Sequence, residues 1–342
     1  MAGKAVECVL RAGVAVKAPE PKPNESTADQ AEPEGLLYHY TTQQGLLGIL
    51  NNKNKCIWAT HSQYLNDKRE GGIVLQALLN ELSSRVKSDS LFQLLGMEPN
   101  IAKQPECTDE ETLSQAIGAA NWVTSQNVFV ASFSEEGNLL SQWRAYSGKS
   151  GGYSIGFKPG FLRAAGRRFL KGRPDSFYMD ADPLLICVYY DEREKQSLEN
   201  EIEGLVSSYI NSVHSNAEVK VASGTEGFRH PFAIAAGHFI PLGMRSAITK
   251  DYGFHEEIEW RLVFLLNQNS IPTDLKLRTG SSMLMPYIEI PLHWEDQPIE
   301  IKEIIVGPCQ YPDSAIRSVE MLLKREEIYG VEVKDSNIPY RS

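Results

Sequence analysis

Three strand-like segments, Glu257–Leu266, Pro286–Leu292 and Ile301–Val306, follow one another in the second half of this chain with no helical segment between them. Parallel strands need a crossover of a dozen or more residues, usually a helix. Strands that succeed one another without one favour antiparallel or mixed pairing. The chain is therefore read as α+β, with mixed, largely antiparallel sheets flanked by helices, and not as a doubly wound parallel sheet.

The first half supplies the remaining elements. Leu36–Thr41 reads as a strand, and 42–50 as a helix whose N-cap is Thr42. Further strands are expected at Cys56–Thr60, Val128–Phe133, Tyr153–Phe157, Leu184–Tyr190 and Gly330–Val333. Helices are expected at 71–87, 109–123 (capped by Thr108 or Asp109), 138–146, 192–214, 231–248 and 312–326. The apolar spacing of Val74, Leu75, Leu78, Leu79 and Leu82 is helical. Residues 1–34 are rich in proline and charge and poor in bulky apolar groups, so they are read as a poorly ordered tail. Residues 35–342 are read as one domain.

With 42% hydrophobic residues the chain can bury a core. Its net charge is −10, from 34 basic and 44 acidic residues, and it carries no long basic stripe. A protein that tracks a nucleic-acid backbone needs a cationic face to displace counterions, so that class is disfavoured. Arg163, Arg167, Arg168, Lys171 and Arg173 form one local basic patch, better read as a solvated helix face than as an anion site. The five cysteines are odd in number, scattered and free of C-x-x-C spacing, which fits reduced thiols in a cytoplasmic protein. No apolar run reaches the ~18–20 residues that span a bilayer, so no membrane partner is expected.

Strong catalytic motifs are absent: no P-loop, no H-E-x-x-H, no G-x-S-x-G, and no histidines at metal-ligand spacing. Three weaker constellations remain. In Tyr38-His39-Tyr40-Thr41, alternation puts the tyrosines on one face and His39 with Thr41 on the other; the alternative role for His39 is a structural bond to backbone. Ser132-Phe-Ser134, followed by Gln142-Trp-Arg144-Ala-Tyr146, brings hydroxyls, a guanidinium and a phenol together, with Phe133 and Trp143 as core. In Glu257-Ile-Glu259-Trp-Arg261, the two carboxylates fall ~7 Å apart on one strand face if the strand is regular. A carboxylate on a strand that runs into the core is costly unless it binds something or pairs with Arg261.

These pieces resemble the domain-of-unknown-function 2971 family of bacteria. The matching segments are Leu37–Thr41, Leu65-Asn-Asp67 with Glu70, Ala131–Glu135, Trp143–Tyr146, Gly152–Phe157, Phe254–Val263 and Ile304–Pro308. More distantly, a first strand bearing His39, a Ser-x-Ser strand and a Glu-x-Glu strand resemble the ADP-ribosyltransferase fold. That likeness implies an NAD-consuming enzyme, transferase or NAD glycohydrolase, with NAD as substrate and no metal. Glu259 would stabilise the ribosyl cation and Glu257 would orient the acceptor, a protein or a nucleic acid. His39, Tyr40, Thr41, Ser132, Ser134, Arg144 and Tyr146 would hold the dinucleotide. Phe133 stands where the fold has threonine. One alternative is a noncatalytic nucleotide-sensing or protein-interaction module of a bacterial defence or toxin-like system, in which Glu257 or Glu259 is locked to Arg261 or Arg144. Another is a metal-dependent nuclease built on Glu70, Glu257 and Glu259.

Overall fold

A computed structural model describes residues 32–50, 55–65, 72–87, 109–124, 126–147, 151–171, 173, 175–176, 182–223, 231–267, 272–280, 282–294 and 297–339. The tail up to residue 31, the Asn66–Glu70 segment and Thr108 lie outside them. The described residues gather into two compact units. One is drawn from the stretches Gln30–Asp67, Asn127–Tyr189 and Lys250–Ser342, and the other from Lys68–Gln126 and Tyr190–Thr249. The segments of the second unit close an apolar cluster of their own, and this gives it a core distinct from that of the sheet.

The sheet unit holds β1 (Leu37–Thr42), β2 (Cys56–His61), β3 (Asn127–Ser134), β4 (Gly152–Phe157), β5 (Leu184–Ile186), β8 (Glu259–Leu266), β9 (Lys276–Thr279), β10 (Leu284–Pro291), β11 (Ile301–Val306) and β12 (Glu332–Asp335). They form one ten-stranded sheet in the order β12-β11-β4-β1-β3-β2-β10-β9, with β8 on β3 and β5 on β8. Every pairing is antiparallel except β11 with β12, which are joined through a helix. The mixed, largely antiparallel α+β class expected from the strand succession is therefore the class observed. Cys187 interrupts the expected 184–190 strand, leaving β6 (Val188–Tyr190) to pair separately with β7 (Thr249–Asp251).

Strand β3 is the branch point of the sheet. It pairs with β8 over its whole length, from Asn127↔Leu266 to Ser134↔Glu259. Its other edge is divided: β2 pairs at Phe129 and Val130, and β1 at Ser134. One sheet face carries Leu37, Ile57, Phe129, Phe133, Ile155, Trp260, Leu262, Phe264 and Ile304, all in a single apolar cluster. Helices α1 (Gln43–Leu50), α5 (Pro159–Leu170) and α8 (Pro312–Arg325) contribute to that cluster through Leu46, Leu162 and Val319 among others. Thr42 caps α1 by accepting from the Gly45 amide at 3.1 Å. On the other face, Tyr40 packs edge-on to Trp143 of α4 (Leu140–Tyr146), with Ile305 beside them.

The second unit consists of helices α2 (Gly72–Lys87), α3 (Asp109–Thr124), α6 (Glu192–Ser223) and α7 (Pro231–Ile248). Ala116, Ala119, Ala120 and Val123 make a fully buried stripe of small residues on α3. Such a stripe lets helix backbones approach closely, and Leu78, Leu82, Val206 and Phe239 share one apolar cluster with it. No helix among the described residues is long and apolar enough to cross a membrane.

Candidate functional site

The acidic segment departs from the regular strand expected of it. Asp251 caps a 3-10 turn, Tyr252–Glu257, by accepting from the Gly253 amide at 2.9 Å. Ile258 then takes a left-handed conformation, φ 40°, and the strand begins only at Glu259. Glu257 is thus outside the strand, and the alternation argument does not fix its direction. The segment is clamped from β3. Ser134 Oγ donates to the Glu257 carbonyl at 2.6 Å, Glu135 N donates to the Ile258 carbonyl, and Trp260 Nε1 donates to the Glu135 carboxylate at 2.7 Å.

Both carboxylates nevertheless converge on one cation, Lys250 of β7. Its Nζ lies 2.7 Å from Glu257 Oε2 and 2.6 Å from Glu259 Oε2. Arg261 Nε donates to Glu259 Oε1 at 2.8 Å, and its Nη2 to Oε2 at 3.2 Å. Glu259, Lys250 and Arg261 are all buried. Burial pushes the Glu259 carboxyl up, but Arg261 and Lys250 more than offset it and hold it at about 2. Burial alone would lower Lys250; Glu259 and Glu257 overcome it and raise the ammonium above its ordinary value. The Glu259 amide is taken as well, donating to Tyr189 Oη at 2.7 Å.

Glu257 is the more open of the two carboxylates, half-buried and held by Lys250. Tyr146, at the end of α4, is 37% exposed. Its phenol is pushed up to about 12 by burial and by Glu257 and Glu259, so it stays a hydrogen-bond donor near neutral pH. Lys250 also lies 4.8 Å from the Phe254 ring.

The structure separates the remaining sequence-predicted residues. Ser134 and Ser132 pair across from Glu259 and Arg261 and share their face of the sheet. His39 pairs with Ile155 and meets the Phe133 ring at 5.7 Å, which puts its side chain on the core face, opposite Glu259. Its Nδ1–H donates to the Ser132 carbonyl at 2.9 Å, in the gap where β3 passes from β2 to β1. Burial, then the nearby Arg278, hold the imidazole below its ordinary pKa. Tyr40 Oη donates to the Glu136 carbonyl and accepts from the Leu139 amide, so it fixes the β3–α4 loop. Thr41 packs against Gly45. Arg144 is exposed on α4, away from a carboxylate partner among the described residues. Two members of the basic patch are neutralised, Arg163 by Asp182 at 2.8 Å and Arg173 by Asp274 at 2.6 Å, and Arg168 lies over the Trp294 ring.

Sequence reasoning did not single out Lys250, whose contact with Glu259 is tertiary and leaves no local signal. Among the described residues no group of three or more His, Cys, Asp or Glu side chains is placed to hold a metal ion, and Glu70 lies outside them. A groove of about 670 Å³ between α1 and α8 is lined by Leu46, Leu47, Tyr153, Cys309 and Tyr311 among others, none of them charged. It shares no residue with this cluster, and concavity alone does not make it the functional site.

Residues 142–262 match the family model described as Protein of unknown function (DUF2971). The resemblance carried by the sequence motifs is borne out over that stretch, which supplies Tyr146, Tyr189, Lys250, Glu257, Glu259 and Arg261. No curated protein and no solved structure shows a significant match to the chain.

Proposed function

We propose that this chain is a noncatalytic ligand-binding module that takes up a nucleotide beside Glu257 and Tyr146 without consuming it. The observation that carries the reading is the saturation of the Glu259 carboxylate. Both of its oxygens are engaged by Lys250 or Arg261, and the group is 5% exposed. A carboxylate so held is spent on neutralising two buried cations and has nothing left for a sugar. Glu257 and Tyr146 are the open pair, an acceptor and a donor suited to the hydroxyls of a ribose. The nucleotide class is what the distant resemblance contributes.

The test combines calorimetric titration of the full chain with NAD and with ADP, and chromatographic assay of nicotinamide. Binding without nicotinamide release is expected, weakened about tenfold by Glu257→Gln, the loss of one charge-assisted hydrogen bond. Release of nicotinamide above the rate in buffer would overturn the reading.

The second reading is an NAD-consuming enzyme, an ADP-ribosyltransferase or NAD glycohydrolase. What favours it is the accessibility of Glu257 next to a fully ionised partner. Cleavage of the nicotinamide–ribose bond develops positive charge on the sugar, and a nearby carboxylate stabilises that charge more in the transition state than in the ground state. Under this reading Glu257, not Glu259, faces the ribosyl cation. Nicotinamide release abolished by Glu257→Gln, with Lys250 and Glu259 untouched, is its signature.

A further inference from the structure

Arg278 of β9 is a cation without a counter-ion among the described residues. Its Nη2 donates to Thr60 Oγ1 at 2.9 Å, and its guanidinium lies 5.4 Å from the centroid of the Trp58 ring. Trp58 is braced in turn by Tyr287 at 4.8 Å. The Arg278 Nε is buried and has no hydrogen-bond partner. Other shielded arginines of the sheet unit are each neutralised: Arg163 by Asp182, Arg173 by Asp274 and Arg261 by Glu259. Burial lowers the Arg278 pKa and only the Tyr287 phenol opposes it.

Removing a charge from water without a partner is costly, and a fold retains such a group where something else supplies the opposite charge. The neighbourhood suits an oxyanion. The Thr60 hydroxyl accepts from Arg278, which leaves its own proton to donate. A guanidinium fork matches two oxygens of a phosphate group.

We propose that Arg278, held by Thr60 and Trp58 on the face of the sheet away from the main core, binds the phosphate group of a phosphorylated ligand. The site stands apart from the reading of Glu257. Inorganic pyrophosphate carries neither ribose nor nicotinamide, so its binding reports on Arg278 alone.

The test is calorimetric titration of the full chain with pyrophosphate, and with citrate as a carboxylate of comparable charge. Pyrophosphate is expected to bind, at least tenfold more weakly to Arg278→Gln and with intermediate affinity to Arg278→Lys, which keeps the charge and loses the fork. Arg317→Gln, an exposed arginine on α8, controls for the loss of one positive charge and is expected to bind as the parent does. Thr60→Val is a second route should Arg278→Gln fail to fold, and it too should weaken binding. Without anion, Arg278→Gln is expected to melt no lower than the parent, since it removes an uncompensated charge. Equal pyrophosphate affinity in parent and Arg278→Gln, no pyrophosphate binding to the parent, or preference for citrate would each overturn the assignment.

Discussion

Lys250 and Glu259 meet at 2.6 Å inside the protein, nine residues apart and on separate strands. Neither charge is supportable there alone. Glu259 also carries Arg261, so its removal strands two cations at once. Glu259→Gln is expected to destabilise the protein by about 3–5 kcal/mol, the range for breaking a buried ion pair from one side. Urea unfolding measures it. A loss below about 1 kcal/mol would mean that water reaches the cluster freely.

The same cluster sets a pH window. Glu259 titrates at about 2 in the folded protein against an ordinary 4.5, so the stability it confers is complete above about pH 4.5 and is lost as pH falls towards 2. The displacement corresponds to about 3 kcal/mol. On the alkaline side Lys250, raised above its ordinary 10.5, keeps its contribution until the pH passes well beyond that value. Unfolding midpoints measured from pH 2 to 7 should show the acid arm, and Lys250→Met should flatten it.

Ile258 is a β-branched residue in the left-handed region, where an L-residue is disfavoured by roughly 1–2 kcal/mol. Asparagine tolerates that conformation. Ile258→Asn is expected to raise stability by up to about 1 kcal/mol in thermal unfolding, with the Lys250–Glu257 contact preserved. A lowered melting temperature would show that the half-exposed side chain packs more than it strains.

Gly152 begins β4 directly against the end of α4. An added Cβ there would stand 2.6 Å from Ser147 Cα and 2.7 Å from Ser147 Cβ. Gly152→Ala is therefore expected to cost about 1–3 kcal/mol and to shift α4, with its Tyr146. The drop should be visible in urea titration and accompanied by a change in Trp143 fluorescence.

Local pattern carried much of the fold. Phe133 reads from the sequence as core and Ser132 and Ser134 as polar candidates, and the pairing with β8 puts them on opposite faces of the sheet. The absence of helices between the last three long strands pointed to the mixed, largely antiparallel class, although those strands pair with β3, β2 and β4 and not with one another. What escaped was set by distance in the chain. The 3-10 turn ahead of Glu259 depends on Asp251 as cap and on Ser134 as clamp, 123 residues from Glu257. Helix α5 is entered through Pro159, a favourable first-turn residue, yet its arginines dominate the local composition. Lys250 and Arg278 carry no motif at all. One is defined by the acids it gathers and the other by the acids it lacks, and both are tertiary properties.

Strand β3 ties two arms of the sheet to one spine. Its β8 edge is continuous while β1 and β2 share the other, so neither arm has a complete seam of its own to β3. Breathing of β3 would release both arms together. The amide hydrogens of β1 and β2 that face β3 should then exchange with a common opening free energy, although the two strands share no ladder with each other and keep their outer ladders to β4 and β10.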